Sequence, residues 1–270
     1  MTLNFHVRHE VTPERTTEVL QAIARGQSFD YVIQSERQVG RLRALGLVTG
    51  TVSELELTPL ADDLLRVADT KPQLLPDLMH YLHYSRWSED APLEHTFLWT
   101  YRTLCDWLVA QGECKLAHQW LEATVTHLLG AIRESPHFGH ALASATKKGA
   151  VSLSTDSLNG VLHWLRPLRP PVIEGDTFTR RYFCPPELLL LALGYVARQT
   201  GAEIGIDLLL TPERREMLCR VCLLEPTALD RALDWVLPLY PEVVEPGTRT
   251  GAYGRFVRLR KMPELSDLGT

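Results

Sequence analysis

The residues of this sequence that are best suited to chemistry are basic side chains at predicted helix starts, turns and hairpins. One group shares a face of a helix that is predicted to open at Ser35 and end at Gly46: Arg37, Gln38, Arg41 and, to one side, Arg43. Arg and Gln near a helix start can contact base edges and phosphates in the DNA major groove. The group therefore predicts DNA contact, and its alternative is a solvated charged face that binds nothing.

A second set of basic residues lies in the middle of the chain. Lys147 and Lys148 occupy a predicted turn, and Arg180 and Arg181 lie on a predicted hairpin. Residues 116–186 carry more basic than acidic side chains. Because phosphate contacts dominate affinity for nucleic acid, these residues are predicted to hold phosphates. The alternative is that they serve solubility alone.

A third set of DNA-binding candidates belongs to a predicted hairpin near the end of the sequence. Arg249, Tyr253 and Arg255 lie at or near its tip, and residues 246–261 contain no acidic residue. The helix before this hairpin carries Asp230 and Asp234, whose carboxylates would repel a phosphate backbone. This segment is therefore predicted either to touch DNA through the hairpin alone or to bind a protein.

Histidine and cysteine pairs raise the question of a metal or redox site. His80 and His83 share a helical face, but zinc needs three or four ligands and the neighbouring residues are aromatic. Cys219 and Cys222 form a lone C-x-x-C inside a predicted helix, which favours buried thiols. The sequence also lacks a phosphate-binding loop, a dinucleotide fingerprint and a hydrolase elbow. We therefore expect no metal, no cofactor and no catalytic residues.

These groups must be positioned by elements that recur along the chain, in which helices are followed by a two-stranded hairpin up to three times. That order is typical of a winged helix. The predicted fold is mainly α with small β hairpins, as tandem winged helix-turn-helix domains joined by a helical middle region. The predicted divisions are an N-terminal winged-helix domain, a helical linker region and two further winged-helix-like domains: 1–70, 71–114, 115–184 and 185–270.

The composition is that of a globular protein, with 270 residues, 45% hydrophobic and 23% charged residues. A net charge of −5 excludes a protein that coats DNA by bulk charge, so that nucleic-acid contact would need local patches. No apolar run reaches the roughly 18 residues of a membrane span, and no secretion signal is visible at the start. Five cysteines fit a reducing compartment, so a cytoplasmic location without membrane contact is expected.

Several short segments together resemble an uncharacterised bacterial family, one of the domains of unknown function. The segments run in order along the chain: Phe5-His6, Arg37 to Leu42 with Gly46-Leu47-Val48, Leu57 to Leu60, Leu78 to Leu82, and Phe183 to Glu187. Genes of that family tend to lie beside genes for proteins that resemble phosphoadenosine-phosphosulfate reductase and beside DNA phosphorothioation or phage-defence genes. The resemblance implies a DNA-associated accessory role in defence, and it carries over no catalytic residue.

The function predicted from the sequence is non-enzymatic binding of duplex DNA within a bacterial phage-defence or DNA-modification system, together with other proteins of that system. Two alternatives stay open. One is an assembly subunit, or scaffold, that binds proteins, which the negative net charge allows. The other is a transcriptional regulator of its own operon. The sequence does not indicate the oligomeric state or the DNA recognised.

Overall fold

The computed structural model describes residues 3–7, 12–27, 36–51, 54–138, 151–249 and 254–268, without the side chains of residues 36, 37 and 249. Within these ranges the chain forms ten α-helices and eight short strands, and the strands pair in three small antiparallel sheets. The expectation of a mainly α fold with small β hairpins is thus confirmed.

The N-terminal part of the chain combines three helices with one hairpin. In order, its elements are α1 (Pro13–Ala24), α2 (Glu36–Ala44), β1 (Val48–Gly50), β2 (Leu55–Leu57) and α3 (Pro59–Thr70). The side chains of Thr12 and Thr58 cap α1 and α3, and a proline follows each cap at the first helical position. The predicted cap Ser35 lies outside the described residues.

The middle of the chain is built from four helices and a second small sheet. Its elements are α4 (Leu75–Ser85), α5 (Thr96–Gln111), β3 (Cys114–Lys115), α6 (His118–Glu134), α7 (Thr155–Leu165), β4 (Ile173–Glu174) and β5 (Thr177–Phe178). A short 3-10 turn, Pro72–Leu74, leads into α4. The predicted hairpin is present as β4 and β5, and Gly175 turns it with φ of +59°. Strand β5 ends at Phe178, so the prediction that Arg180 and Arg181 lie on this hairpin is wrong. Strand β3, which was not predicted, pairs with β5 and extends the hairpin to a three-stranded sheet.

The C-terminal part alternates helices with strands of a third sheet. Its elements are α8 (Pro186–Gln199), β6 (Asp207–Leu209), α9 (Pro212–Cys222), α10 (Leu229–Val236), β7 (Val244–Arg249) and β8 (Gly254–Leu259). The strand order is β6-β8-β7, with both pairs antiparallel. A Cβ atom on Gly247 would come within 2.1 Å of the Phe256 ring, so glycine on β7 makes room for that ring.

The hydrophobic core is continuous and draws side chains from every part of the described chain. Helices α4 and α8 lie at its centre: each residue from Leu75 to Tyr84 of α4 is buried, as is each from Glu187 to Ala197 of α8. Apolar residues around the whole circumference mark such central helices. All parts of the described chain share this core. The division of the sequence into four parts stays a prediction.

No helix in the described ranges is both long and apolar enough to cross a membrane.

Candidate functional site

Helix α2, which was predicted to face DNA, turns the side chain of Arg41 inward. Arg41 is only 8% exposed, and its guanidinium lies over the rings of Phe97 and Trp164, with centroid distances of 5.4 and 5.9 Å. The prediction that Arg41 lies on the exposed face of α2 is therefore wrong, because that face packs on α5 and α7. A cation over aromatic rings stabilises a buried contact of this kind.

Three further residues of α2 were predicted to bind DNA, and the structure describes the side chains of two of them, Gln38 and Arg43. Gln38 is half-buried. The Arg43 guanidinium donates a hydrogen bond to the Gly50 carbonyl oxygen at 2.5 Å, which ties the helix to strand β1. The side chain of Arg37 lies outside the described set.

Arg180 and Arg181 are neighbours in sequence with different surroundings. Arg181 is buried, where its Nη1 lies 2.8 Å from Asp77 Oδ1 and its Nε donates to the Cys222 carbonyl oxygen at 2.8 Å. Arg180 is partly exposed and pairs with Glu225 at 2.9 Å. The expectation that Arg181 is a surface cation is wrong, because Asp77 draws it into the core. Lys147 and Lys148 lie outside the described residues.

Helix α4 carries a buried polar cluster, in which His80 and His83 are fully enclosed. His80 Nε2 lies 2.7 Å from the Val221 carbonyl oxygen, which can only accept, so this nitrogen carries the proton. Its Nδ1 then accepts from the Tyr101 hydroxyl at 3.0 Å. Burial lowers the pKa of both histidines to about 3, so both are neutral.

The histidine and cysteine pairs singled out from the sequence are core residues: His80, His83, Cys219 and Cys222 are all buried. Across the described residues no cluster of three or more His, Cys, Asp or Glu side chains is suited to hold a metal ion. Cys219 and Cys222 are free thiols buried in α9, as their position within a helix predicts. Burial raises the pKa of Cys219 to about 12, which leaves it a protonated, weakly reactive thiol.

Arginines of the C-terminal sheet form ion pairs with carboxylates from other elements. Arg255 lies 2.8 Å from Asp234 and 3.7 Å from Asp230. Asp230 in turn accepts two hydrogen bonds from Arg215, at 2.7 and 2.9 Å. The basic run 246–261 is acid-free along the sequence, yet the fold brings these acids to it. The side chain of Arg249, and Tyr253 as a whole, lie outside the described residues.

Helix α10 exposes an apolar surface that the prediction did not include. Trp235 is 58% exposed and its ring centroid lies 4.9 Å from that of Phe183, while Leu239, one helical turn further on, is 54% exposed. Tyr182, beside Phe183, is 70% exposed. We call Tyr182, Phe183, Trp235 and Leu239 the α10 patch. The sequence does indicate that Trp235 is exposed, because the apolar periodicity turns Leu229, Leu233 and Val236 inward and leaves Trp235 on the outer face.

Of the predicted DNA-binding residues whose side chains the structure describes, two arginines are buried, Gln38 is half-buried, and the others contact further residues of the chain: Arg41 and Arg181 are the buried ones, and Arg43, Arg180 and Arg255 make those contacts. Beside the α10 patch, helix α10 carries two carboxylates that are paired with Arg215 and Arg255. Comparisons of the chain with protein-family models, with curated proteins and with solved structures find no match.

Proposed function

We propose that this protein is a non-enzymatic subunit of a multiprotein assembly, and that it binds a partner protein through the α10 patch. The observation that carries this proposal is the exposed Trp235, with Leu239 one turn away and the Phe183 ring against it. Large aromatic side chains dominate the energy of protein interfaces, and they lie at the centre of the contact.

The order of the C-terminal elements supports a more specific form of this proposal. A winged helix consists of a helix, a strand, two helices and a hairpin, with the first strand paired to the last. The elements α8-β6-α9-α10-β7-β8 follow that order, and their strand order is β6-β8-β7. We propose that residues 186–259 form a winged helix, in which α10 takes the place of the recognition helix.

The charges on α10 favour a protein over DNA as the occupant of its outer face. Asp230 and Asp234 stand on that face, and the nearby Arg215 and Arg255 are engaged with them. A phosphate backbone would have to compete with these ion pairs and face the two carboxylates. A protein surface can instead cover the apolar centre while the paired charges remain at its rim.

Site-specific photo-crosslinking in the source cells tests this proposal. A photoreactive amino acid replaces Leu239, and a matched control carries it at the exposed Arg133 in the last turn of α6. We expect one discrete protein adduct from position 239 and none from position 133, and Trp235→Ser should abolish the adduct without changing stability. The proposal is wrong if position 239 gives no adduct, or gives one that Trp235→Ser leaves intact.

A second candidate function is the binding of duplex DNA, as predicted for a defence or DNA-modification system. It is supported by the β7–β8 hairpin, whose six-residue strands are joined by a segment free of acidic residues. Arg249 ends strand β7, and Tyr253 directly precedes strand β8 in the sequence. In a winged helix such a hairpin can lie along the DNA backbone.

Fluorescence anisotropy with labelled duplex DNA at two salt concentrations tests this second function. Non-specific binders reach Kd values of roughly 1–100 µM at physiological salt, and their affinity falls as salt rises. We expect Arg249→Ala with Tyr253→Ala to weaken binding, while Trp235→Ser should leave it unchanged. Binding that is absent below about 10 µM, or insensitive to salt, would count heavily against this function, and binding that is absent even at about 100 µM would exclude it. Footprinting on the upstream region of the gene would separate a regulator of its own operon from a general binder.

A further inference from the structure

A cleft of about 780 Å³ opens between helices α3, α4, α5 and α8 and the segments that follow α4 and β8. Its volume lies within the range of about 300–1,000 Å³ that is typical of small-molecule sites. The cleft is separate from the α10 patch, since the two share no lining residue. A ligand in this cleft would therefore not compete with a protein bound at the α10 patch.

Three arginines line this cleft: Arg86, Arg102 and Arg198. In the described part of the chain no carboxylate lies within 4.0 Å of any of them, whereas most other interior or sheet arginines have such a partner. Arg86 and Arg198 are exposed to solvent in the cleft and Arg102 is half-buried. These three guanidinium groups thus have no carboxylate paired with them among the described residues, although carboxylates also line the cleft.

Aromatic side chains fix two of these guanidinium groups in place. Arg102 lies against three rings, with centroid distances of 5.5 Å to Trp87 and 5.8 Å to both Tyr84 and Tyr195. Arg198 donates a hydrogen bond from Nη2 to the Tyr81 hydroxyl at 2.8 Å. A cation that is already held in position loses less conformational entropy when it binds a ligand.

The hydroxyl of Tyr195 supplies an independent sign of a ligand. Tyr195 lines the cleft and is only 2% exposed, and its hydroxyl has no hydrogen-bond partner among the described residues. A buried polar group without a partner is rare and costly in a folded protein. Burial raises the pKa of Tyr195 to about 12, so the hydroxyl keeps its proton and can donate it to an acceptor.

The electrostatics of the cleft point to a ligand with a single anionic group. Burial lowers the pKa of Arg86, and the nearby charge of Arg198 lowers it further, so the two cations repel each other. An anion between them would relieve that repulsion. Four carboxylates also line the cleft, those of Asp63, Glu89, Asp90 and Glu264, and they disfavour a polyanion such as DNA.

We propose that this cleft binds a phosphorylated small molecule, whose phosphate group is held by Arg86, Arg102 and Arg198 and accepts a hydrogen bond from the Tyr195 hydroxyl. Guanidinium groups match the geometry of phosphate oxygens and donate paired, charge-assisted hydrogen bonds to them. A phosphate monoester presents three terminal oxygens in a pyramidal arrangement and accepts from several donors, whereas a carboxylate presents two oxygens in one plane.

Isothermal titration of the full chain with glycerol 2-phosphate tests this site, with inorganic phosphate and succinate as parallel probes at constant ionic strength. We expect both phosphates to bind and succinate to bind at least about tenfold more weakly. Arg198→Gln should weaken phosphate binding by about 10- to 100-fold, since a hydrogen bond to a charged group is lost. The control Arg133→Gln, also an exposed arginine in the last turn of a helix, should bind as the unaltered protein does.

Tyr195→Phe separates a ligand-binding role from a structural one. We expect this variant to keep or raise the Tm without ligand, because it removes an unsatisfied buried hydroxyl, and to weaken phosphate binding by about 2- to 10-fold. The site assignment is overturned if phosphate does not bind, if succinate binds equally well, or if Arg198→Gln and Tyr195→Phe both bind phosphate as tightly as Arg133→Gln.

Discussion

Two arginine–aspartate pairs of nearly equal length lie in opposite surroundings in this protein. Arg181 and Asp77 are 2.8 Å apart and each side chain is 1% exposed. Arg215 and Asp230 are 2.7 Å apart, but their side chains are 30% and 57% exposed. Water screens the second pair and competes with it, while the first pair is cut off from water. Burial, and not the distance between the charges, therefore decides how much the stability of the fold depends on each pair.

The two pairs also differ in how the chain brings them together. In the core, Arg181 pairs with Asp77 of α4, which lies 104 residues earlier in the sequence. On the C-terminal surface, Arg215 and Arg255 meet acids that lie within about 30 residues of them in the sequence. A basic residue beside a predicted hairpin can therefore belong to either class.

Removing one partner of the buried pair should have the largest effect on stability. Arg181→Met leaves Asp77 as a buried charge without its cation, which we expect to lower the free energy of unfolding by about 3–5 kcal/mol. Urea denaturation followed by circular dichroism measures this loss. The double variant Arg181→Met with Asp77→Leu should recover most of it, because no lone charge remains. A loss below about 1 kcal/mol for the single variant would show that the buried pair matters no more to stability than an exposed one.

Acidification should weaken the same core by an intermediate amount. His83 is neutral in the folded state because burial, with the nearby charge of Arg41, lowers its pKa to about 3 from an ordinary value of 6.5. Below pH 6.5 the unfolded chain takes up a proton that the folded chain does not, so stability falls as the pH falls towards 3. Each such histidine costs about 1.4 kcal/mol between pH 7.5 and pH 5.5.

The variant His83→Phe isolates this contribution, since phenylalanine can stack between Tyr101 and Trp164 without titrating. We expect the loss of stability between pH 7.5 and pH 5.5 to be about 1.4 kcal/mol smaller in the variant than in the unaltered protein. Urea denaturation at both pH values measures the difference. Equal losses in the two proteins would show that His83 does not resist protonation.

Breaking the exposed pair should have the smallest effect. Arg215→Gln removes the two hydrogen bonds to Asp230, and we expect the free energy of unfolding to fall by less than about 1 kcal/mol. The difference from the unaltered protein should shrink further in 1 M salt, where the Debye length is about 3 Å. A loss as large as that of Arg181→Met would remove the distinction between the two regions.

The sequence was sufficient to predict elements with strong local signals. Thr58-Pro59 and Thr211-Pro212 each mark a helix start, because the threonine caps the helix and the proline fits its first position. The three hairpins were predicted from turn residues between short apolar runs. Strands β3 and β6 were missed because they span two and three residues and pair with strands far along the chain.

The candidate sites depended on contacts that no local pattern records. Helical periodicity places Val39, Leu42 and Leu45 inward, but it does not reveal that α2 packs on a second side, where Arg41 lies over Trp164. Nor does it reveal the cleft lined by Arg86, Arg102 and Arg198, which come from three separate helices or their ends. The side chain of Trp235 is the exception, since the amphipathic pattern of α10 alone predicts its exposure.

The exposure of Trp235 also gives the protein an intrinsic optical reporter. Of the six tryptophans, Trp87, Trp99 and Trp164 are buried and Trp107 and Trp120 are half-buried, so Trp235 is the one that a dissolved quencher reaches most freely. Iodide should therefore quench a red-shifted fraction of the fluorescence that Trp235→Phe eliminates. Any molecule that covers helix α10 should protect that fraction, which makes docking on this face visible without a label.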